Sequence, residues 1–142
     1  MSGPAPRLRQ VVLDTTDARA AAEFWRQLLQ LVYRMGHEPP APGEDDPAGR
    51  DWLNLQTRVG APALAFQQVA ALPASTWPRD EVPQQLHLDL SVATAEELTQ
   101  VRERVLALGG RVLLDRFDDP EEPLYAFADL DGHPFCVFVA DG

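Results

Sequence analysis

The sequence contains no lysine: all twelve of its Lys-plus-Arg positions are arginine. Schiff-base chemistry, a phosphate-loop lysine and a lysine general base are therefore excluded. Isoleucine is absent too, a bias that GC-rich coding produces. The single cysteine, Cys136, excludes an intrachain disulfide and a multi-thiolate zinc site. No run of about 18 apolar residues occurs and no apolar segment follows Met1, so the chain is expected to be cytoplasmic, with no role in a membrane. Basic charge is scarce, with 22 acidic residues against 12 basic ones and a net charge of −10. That balance repels phosphate backbones and argues against a nucleic-acid partner.

What is present suits one domain. A chain of 142 residues buries roughly 68–70% of its unfolded surface, enough for one sizeable core. The acid is unevenly spread: residues 1–71 carry eight acids and seven Arg, residues 72–142 fourteen acids and five Arg. Surface solubility explains such an excess, and a cationic ligand for the second half is the sharper reading.

Residues 8–15 are β-prone, and Asp17 is placed to cap the helix that follows. Ala21, Phe24, Trp25, Leu28, Leu29 and Val32 recur at helical spacing, which predicts a helix running to about Val32 with Trp25 in the core. Residues 86–92 alternate strictly between apolar and polar, the pattern of a half-buried strand. Thr94 and Glu97 then form a capping box, and Leu98, Val101, Val105 and Leu108 make the stripe of a second helix stopped by Gly109 and Gly110. Three short strand candidates follow each helix: 32–38, 52–57 and 62–69, then 111–117, 124–128 and 134–139. The chain thus reads β-α-β-β-β twice, as module one (8–69), a Pro-rich linker (70–85) and module two (86–140). The polar, Pro-rich loop 38–50 is long enough to move or to cover something.

Aligning the copies on their helix caps tests the repeat. Gln10 lies seven residues before Asp17, and His87 seven before Thr94. Val11, Leu13 and Thr15 then match Leu88, Leu90 and Val92 on the face a helix should cover. Gln10, Val12 and Asp14, with His87, Asp89 and Ser91, fall on the opposite face. Allowing for loop 38–50, Phe66 and Gln67 are matched to Phe135 and Cys136.

Four segments carry a family resemblance: Val12 to Asp17 running into Phe24-Trp25, Leu64 to Val69, Leu86 to Val92, and Asp129 to Cys136 with its Asp-x-x-Gly-x-x-Phe-Cys ending. Together they resemble the vicinal oxygen chelate superfamily, the group of glyoxalase I, bleomycin-resistance proteins, fosfomycin-resistance enzymes and extradiol dioxygenases, in its glyoxalase-like branch. The resemblance implies an α+β fold in which two β-α-β-β-β modules pair into an open, cup-shaped mixed sheet with helices outside and small ligands within. It also implies a homodimer. Metal-binding members place a ligand on the first and last strand of each module, which here gives Gln10, Gln67 (or Gln68 after a register slip), His87 and Cys136. Both carboxylates of the glyoxalase pattern are missing, and neutral amides hold a divalent ion weakly. These positions are therefore expected to be degenerate and unoccupied, with no cofactor. A divalent Zn, Ni, Mn or Fe ion is the alternative.

His87, at the polar face, is the candidate for proton transfer, metal ligation or pocket lining, against a structural imidazole beside Asp89. Gln10, Trp52, Gln67, Trp77 and His87 form the expected ligand-binding set. Trp52 offers a stacking wall or mere packing, while Trp77 either closes over a ligand or pins the linker. Cys136, between Phe135 and Val137, is a small buried hydrophobe or a thiolate beside a metal. His133 reads as turn filler and His37 as a solvated loop residue. The acidic loop of Asp115, Asp118, Asp119, Glu121 and Glu122 is either solvated or a field for cations. Two functions follow: a metal-independent protein that binds a small molecule, as in resistance or sequestration, or a metal-dependent lyase, isomerase or dioxygenase using His87, with glyoxalase I activity itself disfavoured.

Overall fold

The structure, a computed structural model, describes residues 2–140. The chain divides into two units, Met1–Ala70 and Ala71–Gly142. In the first, β1 (Val11–Thr15), α1 (Ala18–Leu29), β2 (Val32–Tyr33), a short 3-10 turn at Ala48–Arg50, β3 (Trp52–Gln56) and β4 (Pro62–Gln68) follow in order. The second repeats the plan with β5 (Leu88–Val92), α2 (Ala95–Ala107), β6 (Arg111–Arg116), β7 (Leu124–Ala128) and β8 (Pro134–Val139). Each unit holds one four-stranded mixed sheet, ordered β1-β4-β3-β2 in one and β5-β8-β7-β6 in the other. The first and last strands of each unit run parallel, and the remaining pairs are antiparallel. The α+β fold expected from the sequence is thus observed.

Alternation fixes the two faces of each sheet. In unit one Leu13, Thr15, Leu53, Leu55, Leu64 and Phe66 are buried on one face, and Ala21, Ala22, Phe24, Trp25 and Leu28 of α1 are buried with them. Asp17 caps α1 by accepting from Ala20 N–H, as expected. The helix ends at Leu29 rather than near Val32, because Gln30 takes a left-handed conformation (φ 56°) that closes the turn. Its apolar spacing continues into β2, which is why periodicity alone overran the boundary. β2 is two residues long, not seven: Gly36 at φ +91° turns the chain after Arg34, whose N–H still bonds Asn54 O at 3.1 Å.

In unit two the capping box of Thr94 and Glu97 forms as expected, and Leu98 and Val105 of α2 are fully buried. On the same unit Phe117, Tyr125, Phe127 and Phe135 form a continuous row, with centroids 5.8, 5.4 and 5.5 Å apart along it. Arg102 of α2 lies over Tyr125 at 5.7 Å. Among the described residues no helix is long and apolar enough to cross a membrane.

Candidate functional site

The face of each sheet opposite its helix carries the polar residues. In unit one it presents Gln10, Val12 and Asp14 beside β4 residues Ala65 and Gln67, with Trp52 and Asn54 on β3. Trp52, two residues from Asn54 on one strand, donates its indole N–H to Asn54 Oδ1 at 2.6 Å. Asn54 Nδ2 in turn donates to Gln10 Oε1 at 2.9 Å. Gln10 and Trp52 are thus brought together by Asn54, a residue outside the expected ligand-binding set. The signal was available, since Asn54 shares Trp52's parity and lies opposite Ala65. Gln67 pairs with both Asp14 and Trp52 in register and is exposed on this face. Gln68 is not its alternate: its carboxamide faces α1, accepting from Ala18 N–H at 2.9 Å and donating to Thr16 O at 2.6 Å.

The strand register corrects one equivalence. Val11 pairs with Leu64 and Leu88 with Phe135, so Ala65, not Gln67, corresponds to Cys136. The expected match was two residues out, a slip that preserves side-chain parity and is therefore invisible to alternation.

His37 is not the solvated residue its loop position suggested. Its Nδ1 accepts from Asn54 N–H at 2.8 Å, standing in for the strand partner that the short β2 does not supply. Burial, with the positive charge of Arg34, holds its imidazole below the usual histidine range. Loop 38–50 is docked rather than loose. Arg19 of α1 grips Asp46 through Nε (2.8 Å) and Nη2 (2.9 Å), donates to His37 O at 2.7 Å, and lies 5.0 Å from the Tyr33 ring centroid. A cleft of about 600 Å³ at the β2 edge is lined by Glu23, Arg26, Tyr33, Met35, Pro39 and Gln56 among others. Tyr33 there donates to Glu23 at 2.8 Å, and burial pushes its hydroxyl up to about 12. Gln10, Trp52 and Gln67 are not among its walls.

In unit two His87 lies one residue before β5 rather than within it. Its Nε2 is 3.1 Å from Asp89 Oδ1. Asp89 pairs in register with Cys136, and donor atoms of His87, Asp89 and Cys136 all lie within 4.8 Å of one another. Asp89, expected on the same face as a partner for the His87 imidazole, was not among the expected ligand positions. Burial pushes the half-buried Cys136 thiol up, and the negative charges of Asp89 and Glu122 add to the effect. Trp77 sits in a linker turn where Thr76 N–H bonds Val82 O at 2.8 Å and Ser75 Oγ accepts from Trp77 N–H at 3.2 Å.

Two further groups have structural work. Asp129 Oδ1 accepts from the N–H groups of Asp131 and His133 at 3.0 and 2.8 Å, closing the turn before β8 as the sequence suggested for His133. In the acidic loop Asp119 Oδ1 accepts from Glu121 and Glu122 N–H, which holds that carboxyl below its usual range, and Asp115 accepts from Phe117 N–H.

This arrangement of strands and helices has close counterparts. The family model described as Glyoxalase-like domain matches residues 10–138. The chain belongs to the glyoxalase-like domain family. FosX, a genomically encoded fosfomycin resistance protein from Listeria monocytogenes, superposes with a TM-score of 0.68 at 16% identity, over 98% of this chain and 94% of that one. A variant of the same protein complexed with Mn(II) and 1S,2S-dihydroxypropylphosphonic acid gives 0.66 at 16% identity, over 97% and 95%. A glyoxalase/dioxygenase from Nostoc punctiforme gives 0.64 at 18% identity, over 100% and 99%. At such identities the likeness establishes the fold. No curated protein matches the chain.

The FosX variant is complexed with Mn(II), and the donor chemistry of this chain can be set against that. In unit one Gln10 and Gln67 offer only neutral amides, and Gln10 Oε1 already accepts one hydrogen bond, from Asn54 Nδ2. In unit two imidazole, carboxylate and thiol form a set of the kind Zn²⁺ takes, and a poor one for Mn²⁺, which prefers oxygen ligands. Binding there requires removing the Cys136 proton, against the upward shift of its pKa. His87 and Asp89 are exposed, and Cys136 is half-buried.

Proposed function

We propose that this glyoxalase-like protein binds a small organic molecule on the open sheet face of its first unit, without a metal, as a sequestration or resistance factor does. The observation that carries the reading is the Trp52–Asn54–Gln10 chain: an indole wall and an oriented amide on one face. Gln67, exposed beside Trp52, extends the surface. The test is a thermal-shift and calorimetric screen of aromatic antibiotics and metabolites in EDTA, repeated with Trp52→Ala. A saturable ligand indifferent to EDTA and lost in the variant is the expected result; ligands that bind only with added metal would overturn it.

A second reading is favoured by the convergence of His87, Asp89 and Cys136. There the three side chains would hold a divalent ion, which would polarise a substrate oxygen in a lyase, isomerase or dioxygenase. His87→Ala should then abolish turnover while the fold persists, and retained turnover would remove His87 from the mechanism.

A further inference from the structure

Carboxamides are ambiguous hydrogen-bonding groups, because one end accepts and the other donates, and their orientation follows from their neighbours. Trp52 removes the ambiguity. An indole N–H is a donor only, so the atom of Asn54 that meets it at 2.6 Å is the oxygen. Asn54 must then turn its Nδ2 toward Gln10, and the Gln10 atom 2.9 Å away must be the acceptor Oε1. Reversing Gln10 alone would set two amide NH₂ groups against each other. The orientation therefore passes along the chain and leaves Gln10 Nε2, with its two N–H donors, at the far end. Gln10 is half-buried, and among the described residues its Nε2 has no partner. His37 anchors the middle of the chain by taking the backbone N–H of Asn54.

We infer that Trp52 and Asn54 orient Gln10 as a hydrogen-bond donor, so that this face selects planar ligands bearing an acceptor oxygen, a carbonyl above all, over ligands that can only donate. The inference rests on the proposed small-molecule reading and adds the polarity of the ligand. It also gives Gln10 a role opposed to metal ligation, since a nitrogen bearing two protons has no lone pair to offer a cation.

One substitution inverts the prediction. Aspartate in place of Asn54 keeps the shape and the acceptor for Trp52 but has no donor, so Gln10 must turn its Nε2 inward and expose Oε1 instead. Two uncharged aromatic probes read the change without a charge effect: N,N-dimethylbenzamide, which only accepts, and indole, which donates through its N–H. Both are titrated into the full-length protein in EDTA, following the Gln10 side-chain NH₂ and Trp52 indole signals by ¹H–¹⁵N NMR. The expected result is a preference for N,N-dimethylbenzamide of on the order of fivefold, the net worth of one neutral hydrogen bond. In Asn54→Asp the preference should reverse, while Asn54→Leu should leave neither probe favoured. Equal affinity of the unaltered protein for both probes, or an unchanged preference in Asn54→Asp with dispersed, native-like spectra, overturns the inference and leaves the binding reading standing. Failure of both probes to shift Trp52 or Gln67 at millimolar concentration overturns the two together.

Discussion

Replacing Arg19 by alanine is the sharpest perturbation of the first unit, because one guanidinium does three things there. It forms a bidentate pair with Asp46, bonds His37 O at 2.7 Å, and covers the Tyr33 ring. Its side chain is only 17% exposed and that of Asp46 24%, so solvent screens the pair less than an exposed one. Hydrogen bonds to charged groups contribute about 1.5–3 kcal/mol, and the ring contact adds about 0.5–1 kcal/mol. Arg19→Ala should therefore destabilise the protein by roughly 2–4 kcal/mol, measured as a fall of about 1–2 M in the urea midpoint at pH 7. The Arg19 guanidinium also holds the Asp46 carboxyl below its usual range. The pair's stabilisation is then fully present above about pH 4 and is lost as pH falls through the depressed value. A double-mutant cycle with Asp46→Asn isolates the pair, with an expected coupling above about 1 kcal/mol. A coupling below about 0.5 kcal/mol, as for exposed ion pairs, would refute the docking of loop 38–50 described above.

Three other outcomes are expected. His37 is held below its ordinary pKa by burial, so its contribution is present above about pH 6.5 and is lost as pH falls through the lowered folded value; His37→Asn, which keeps an acceptor, should flatten that part of the urea stability profile. Gly132 combines φ +85° with an Ala74 Cβ only 2.5 Å from where its own would stand, whereas Gly60 at φ +88° has open space around it. Gly60→Ala should cost about 1–2 kcal/mol for the left-handed backbone alone, and Gly132→Ala measurably more in the same melts. The Cys136 thiol, raised by burial and then by Asp89, should react slowly with iodoacetamide at pH 8, and faster in Asp89→Asn.

Much of the fold was legible because two periodicities carry it. The strict alternation of residues 86–92 and the stripe Phe24, Trp25, Leu28 placed a strand and a helix correctly, and the caps Asp17 and Thr94 fixed their registers. What alternation cannot see is a shift of two, and that is where the pairing of Gln67 with Cys136 failed against the Ala65 register. Nor can it see an element replaced by a side chain. The short β2 leaves Asn54 N–H to His37, a contact between residues 17 apart that no local pattern announces. Of the candidate site, Gln10 and Trp52 were expected; Asn54, which joins them, shares Trp52's parity, but parity places a side chain on a face without showing which neighbours it meets. Asp89 was expected beside His87, but its nearness to Cys136 depends on the β5–β8 pairing, which residues 47 apart in sequence do not announce.

The central claim is ligand binding without metal, and it is tested most directly on untreated protein by native mass spectrometry combined with elemental analysis. The expected result is protein with substoichiometric Zn, Ni, Mn and Fe, and, where a ligand co-purifies, an adduct of organic mass that survives EDTA. One equivalent of any of these metals, lost together when His87, Asp89 or Cys136 is replaced, would contradict it.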